Sequence, residues 1–143
     1  MSPLVDGTIL VELARPAPSR GVLAWALLTP KLSLSVVTLE EFECALIRSA
    51  PANQVDPISR WLNEFLSDHC RLLEVTSAIA RHAARLRALS SRNGLHMSPS
   101  DSIVAATAEQ HDLLLVTQNP RLFAGCDLRI ERPGNDTLLP PAP

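Results

Sequence analysis

The stretch Ser98–Pro120, SPSDSIVAATAEQHDLLLVTQNP, constrains the fold more than any other part of this chain. Ser98 is placed to cap a helix, Pro99 suits the first helical position because its missing N–H would have no partner there, and Asp101 stands in the first turn. Ala105, Ala106, Thr107 and Ala108 form a run of small residues, which lets a helix approach a sheet closely. After a reversal at His111-Asp112, Leu113–Thr117 is a short, bounded apolar run, as expected of a strand buried on both faces. Asp101 is thereby fixed at the start of a helix that feeds a core strand.

The preceding chain shows the same alternation. Pro3–Val5 reads as a first strand ending at Asp6, and Ile9, Leu10 and Leu13 give Thr8–Ala14 a helical spacing that Arg15-Pro16-Ala17-Pro18 stops. Gly21–Leu28 reads as a second short helix. Alternation followed by two β-branched residues makes Leu32–Val37 a second strand. Thr38-Leu39-Glu40-Glu41 then has capping-box spacing, opening a helix to Ser49 with Leu39, Phe42 and Leu46 on one face. Ala50–Asn53 reads as a loop, Pro57–Leu66 as a helix and Arg71–Val75 as a weaker strand. A long helix runs from Thr76 or Ser77 to Arg92, ended by Asn93-Gly94, and Leu128–Ile130 is a last strand. This order predicts an α/β fold with a mostly parallel sheet flanked by helices. Residues 1–132 read as one domain, and the proline-rich, aperiodic 133–143 as a mobile C-terminal tail.

Composition narrows the chemistry. The 143 residues suit a single core, and because aromatics make up only 3% that core must be aliphatic. No apolar run is long enough to span a bilayer, and no basic-then-apolar leader opens the chain, so a cytoplasmic protein without a membrane partner is expected. Cys44, Cys70 and Cys126 are odd in number and form no CxxC pair, which predicts reduced, buried thiols. His69, His82, His96 and His111 show no zinc spacing, and there is no phosphate-binding glycine loop or nucleophile elbow. The formal net charge of −2 does not advertise nucleic-acid binding; Arg81, Arg85 and Arg92 fall near one helix face, read as a solvated surface rather than an RNA-facing stripe.

The acids are more informative. In a parallel sheet, ligands bind beyond the C-terminal ends of the strands. Asp6 lies at such an end, Glu41 in the first turn after another, and Asp101 in the first turn of its helix. Each reads singly as a cap: Asp6 for the adjacent helix, Glu41 with Thr38, Asp101 with Ser98. If the strands are neighbours, the three converge, and converging carboxylates repel unless protons or a cation compensate. Hard oxygen donors select Mg²⁺ or Mn²⁺, and such an ion activates water and offsets charge on a phosphoryl oxygen.

Four segments give the chain a family resemblance. Leu4–Leu13 (LVDGTILVEL), Leu34–Leu46 (LSVVTLEEFECAL), Asp101–Asn119 (DSIVAATAEQHDLLLVTQN) and Pro120–Gly125 (PRLFAG) resemble, in order, the motifs of PIN-domain ribonucleases, most closely the VapC-like toxins of bacterial toxin–antitoxin pairs. The resemblance implies a three-layer PIN fold and Mg²⁺- or Mn²⁺-dependent cleavage of RNA. It further implies a cognate small antitoxin that occludes the acidic pocket, and a homodimer. Asp6, Glu41 and Asp101 match the family's metal-binding, catalytic acids; Asn119 matches a polar position near the site, and with Thr8 would position water or phosphate. Two departures stand out. Asp6-Gly7-Thr8 replaces the usual Asp-Thr-Asn or Asp-Ser-Asn, and Leu122 stands where the family often has a fourth acid. The second lowers the expected charge of the site, so a degenerate PIN domain that binds RNA or a protein without cutting is the alternative.

Overall fold

The computed structural model describes residues 1–134. Five strands, β1 (Pro3–Val5), β2 (Leu32–Ser35), β3 (Cys70–Leu73), β4 (Leu114–Val116) and β5 (Ile130–Glu131), form one sheet in the order β3-β2-β1-β4-β5. Every pairing is parallel, with Val5 level with Leu34 on one side and Val116 on the other. Six helices flank it: α1 (Gly7–Ala14), α2 (Arg20–Leu27), α3 (Val36–Ser49), α4 (Ala52–Asp68), α5 (Ser77–Arg92) and α6 (Pro99–Gln110).

Strand alternation divides the core into two layers. Val5, Leu32, Leu34 and Val116 point to one face, where Ile9 and Leu10 of α1, Trp25 of α2, Phe42 and Leu46 of α3, and Leu62 and Phe65 of α4 cover them. Leu4, Leu73 and Leu115 point to the other, packed with Val104, Ala105 and Ala108 of α6 and with Phe123. The alanines of α6 act as the sequence suggested. Ala106 meets Ile79 and Ala83 of α5, so α6 is sandwiched between sheet and α5. Because α6 runs antiparallel to the strands, its first turn, carrying Asp101, lies at their C-terminal edge, beside Asp6 and the start of α3.

Several expected boundaries move, each for a local reason. Val36 and Val37 are helical, not strand: the Ser35 hydroxyl accepts the Val37 N–H at 3.2 Å and caps α3 three residues before Thr38. Thr38 is therefore no cap, and Glu41 falls beyond the first turn. Helix α4 begins at Ala52 rather than Pro57 and carries Pro57 inside it. The proline leaves one carbonyl without its helical donor, but burial of Leu62 and Phe65, and stacking of Trp61 on Phe65 at 5.1 Å, hold the helix across it. The last strand lies at Ile130–Glu131, slightly later than the sequence placed it. Pro133, read as tail, is buried, and Gly134 lies so close to Gly21 that a Cβ on Gly21 would sit 2.1 Å from its Cα. The rest of the expected tail, residues 135–143, lies outside the described residues.

The three cysteines are free, but Cys44 is exposed, correcting the expectation of buried thiols. Arg81, Arg85 and Arg92 are all exposed. His82 pairs with Glu109, joining α5 to α6. No helix among the described residues is long and apolar enough to cross a membrane.

Candidate active site

Asp6 leaves β1 with its N–H still bonded to the Val116 carbonyl at 3.2 Å, then caps α1. Its Oδ1 accepts the Thr8 N–H at 3.0 Å, the Ile9 N–H at 3.3 Å and the Thr8 hydroxyl at 2.5 Å. Its Oδ2 accepts the Thr117 hydroxyl at 2.5 Å. Each hydroxyl is itself oriented by the backbone of the β4 exit: Gln118 N–H donates to Thr8 Oγ1 at 2.9 Å and Asn119 N–H to Thr117 Oγ1 at 3.0 Å. Oδ1 is thus saturated, while Oδ2 keeps a lone pair for one further partner. Only 5% of Asp6 is exposed. Burial pushes its carboxyl above the usual carboxylate range, and the bonds from Thr117, Thr8 and the backbone pull part of the way back.

Asp101 forms the capping box that its spacing announced. Its N–H donates to Ser98 Oγ at 3.1 Å, and its Oδ2 accepts the Ser98 hydroxyl at 2.7 Å and the Ser98 N–H at 3.4 Å. It is half-buried, with Oδ1 free of protein donors among the described residues. Glu41 is exposed on α3, and one turn before it Thr38 is buried with a hydroxyl that meets no partner.

Asp6, Glu41 and Asp101 line one cavity of about 530 Å³, together with Gly7, Thr8 and Thr38 on the polar side and Val11, Phe42 and Ala45 on the apolar side. Capping and convergence, alternatives in the sequence, coexist: Asp6 and Asp101 cap helices and still face the cavity. Glu12 and Arg15 complete the lining. Glu12 Oε1 accepts the Ser19 N–H at 2.8 Å, and its Oε2 lies 3.4 Å from Arg15 Nη1.

An all-carboxylate donor set suits a hard divalent cation. Among the described residues no three His, Cys, Asp or Glu side chains stand close enough to ligate one ion together. A divalent cation on this set would take one or two carboxylate oxygens directly, with water in its remaining positions.

Two expectations change. Asn119 is exposed and does not line the cavity; it reaches the site only through its N–H on Thr117. Leu122 packs in the second core layer and faces Leu86, Leu89 and Met97, not the acids. Thr117, Thr38, Glu12 and Arg15 were not singled out from the sequence. Thr117 was within reach of it, because pairing the ends of the first and fourth strands puts Thr117 beside Asp6. The other three needed the helix phases.

The family model described as the PIN domain matches residues 4–126. Among curated proteins, the chain is 25% identical to Toxin FitB of Neisseria gonorrhoeae, over 93% of this chain and 99% of that protein. It is 30% identical to VapC ribonuclease Y4jK of Sinorhizobium fredii, over 91% and 96%. Among solved structures, VapBC2 from Rickettsia felis bound to a DNA fragment from their promoter superposes with a TM-score of 0.78 at 20% identity, over 93% of this chain and 99% of that one. FitAcB from Neisseria gonorrhoeae gives 0.74 at 24%, over 90% and 95%. Those structural likenesses speak to the fold, while the family match runs from β1 through β4 and includes all six helices and Asp6, Glu41 and Asp101. The chain belongs to the PIN-domain family.

Proposed function

We propose that this protein is a divalent-metal-dependent endoribonuclease that acts as the toxin of a toxin–antitoxin pair. The observation that carries the reading is the meeting of Asp6, Glu41 and Asp101 on one cavity at the C-terminal edge of the sheet. It is supported by curated relatives named as a toxin and as VapC ribonucleases.

In this reading Asp6, through Oδ2, and Asp101 would hold Mg²⁺ or Mn²⁺, and the exposed Glu41 would reach it through water. The ion would supply a water of lowered pKa and charge compensation at the phosphoryl oxygens. The chain's own contribution is positional. Thr8 and Thr117 fix the Asp6 carboxylate in a single orientation, and Ser98 fixes Asp101. Asn119 tightens the Thr117 end through its main chain. The antitoxin partner is inferred from structural neighbours described as a toxin–antitoxin complex from Klebsiella pneumoniae and as a member of the VapBC family of toxin–antitoxin systems, and a homodimer and a cytoplasmic location are inferred from the family. The binding-only alternative rests on Gly7 and on the missing acid at Leu122, and metal-dependent cleavage separates it from the nuclease reading.

The test is cleavage of single-stranded and structured RNA by the purified chain. Cleavage that requires Mg²⁺ or Mn²⁺, stops with EDTA and falls by at least two orders of magnitude in Asp101→Asn is expected. Cleavage unchanged by EDTA and by the substitution would refute the mechanism.

A further inference from the structure

We propose that Arg15 binds a phosphate of the RNA strand beside the bond that is cut. This deepens the nuclease reading and rests on it. The cavity presents four carboxylates, Asp6, Glu12, Glu41 and Asp101, and Arg15 is the sole basic side chain on its lining. An RNA strand entering such a cavity meets like charge. A divalent ion compensates at the acids, and the next phosphate along needs a second cation. Arg15 is the lining residue able to supply it.

The geometry is built for that task. Arg15 is the C-terminal cap residue of α1, its N–H bonded to the Glu12 carbonyl at 3.2 Å, and Pro16 stiffens the chain behind it. Glu12 is anchored through Oε1 by the Ser19 N–H, and its Oε2 lies 3.4 Å from one guanidinium nitrogen, Nη1. The Arg15 side chain stays 62% exposed, and its remaining donors have no protein partner among the described residues. A planar guanidinium approached at one nitrogen and otherwise open to solvent has donors left for bidentate phosphate recognition. Val11, Phe42 and Ala45 line the same cavity and offer an apolar wall to the ribose or base between the two phosphates. Arg15 also lines the groove that leads on past Ala14 and Pro16, where the strand would leave. If the Glu12–Arg15 pair served only the fold, an exposed pair of this kind would contribute little stability and no RNA affinity.

Fluorescence anisotropy tests this, with a labelled mixed-sequence single-stranded RNA, Mg²⁺ and a range of salt, in the Asp101→Asn background. Arg15→Gln should weaken binding by about tenfold, the size of one charge-assisted contact. It should also flatten the slope of log Kd against log salt by about 0.7. Arg15→Lys should recover part of the affinity and all of the slope, whereas Arg85→Gln, on exposed α5 away from the cavity, should change neither. Unchanged affinity and slope in Arg15→Gln, an equal loss in Arg85→Gln, or no RNA binding with Arg15 intact would each overturn the proposal. Wild-type cleavage measured in parallel separates the two readings: metal-dependent cleavage without an Arg15 effect rejects the phosphate contact alone, and no metal-dependent cleavage rejects the nuclease.

Discussion

At the residue scale, Asp6 sets burial against charge. It is buried and held by four donors, yet burial still leaves its carboxyl raised. The native state therefore holds the Asp6 proton to a higher pH than the unfolded chain, whose carboxyl titrates at 3.8. Its contribution to stability is complete below that value and is lost as pH rises through the native titration. In metal-free protein, Asp6→Asn keeps an N-capping residue and removes this loss, so its Tm at neutral pH should equal or exceed that of the wild type and depend less on pH. A Tm several degrees lower would contradict this account. Thr117→Val takes a donor from the buried carboxylate and should cost about 1–3 kcal/mol in urea unfolding. The same change in the Asp6→Asn background should cost less, because the charge it served is gone. The cysteines sort by the same physics. Burial pushes Cys70 up to about 11, and burial with the nearby Glu109 charge raises Cys126, while Cys44 is exposed. Alkylation at pH 8, followed by peptide mapping, should label Cys44 first and Cys70 last.

At the element scale, helix starts decide where the acids point. The α6 start was legible because Ser98, Pro99 and Asp101 agree with one another and nothing nearby competes. The α3 start was not. Val36 and Val37 favour strand, and Thr38 with Glu41 mimics a capping box, but Ser35 lies at the end of a buried strand where its hydroxyl meets the Val37 N–H. Tertiary position overrode propensity, and that shift of three residues moved Thr38 from a cap to an unpartnered cavity wall. Ser35→Ala should consequently cost about 1 kcal/mol as a lost cap, whereas Thr38→Val, which removes a buried hydroxyl without a partner, should be neutral or stabilising in the absence of metal. Chemical denaturation of both variants reads the difference; the opposite ranking would return the cap to Thr38. Helix α4 misled for a related reason: Pro57 reads as a start, but the buried face on either side of it keeps one helix.

At the scale of the whole molecule, the alternation of elements was enough to imply the parallel sheet, because each apolar run is too short for anything but a strand or a single helix turn. The sequence did not carry the order β3-β2-β1-β4-β5, which places β1 at the centre and so brings Asp6, the start of α3 and the start of α6 to one edge. The three acids were visible as residues and Thr117 followed from pairing β1 with β4, whereas Glu12 and Arg15 became visible only with the helix phases. Leu122, at the motif position where the family often has an acid, packs against the core on the other face of the sheet. The central claim is that this edge holds a divalent ion on carboxylates. Calorimetric titration of the metal-free protein with Mn²⁺ addresses it without reference to any substrate. One saturable site is expected, weakened at least tenfold in Asp6→Asn and in Asp101→Asn; titrations that are the same in all three proteins would contradict it.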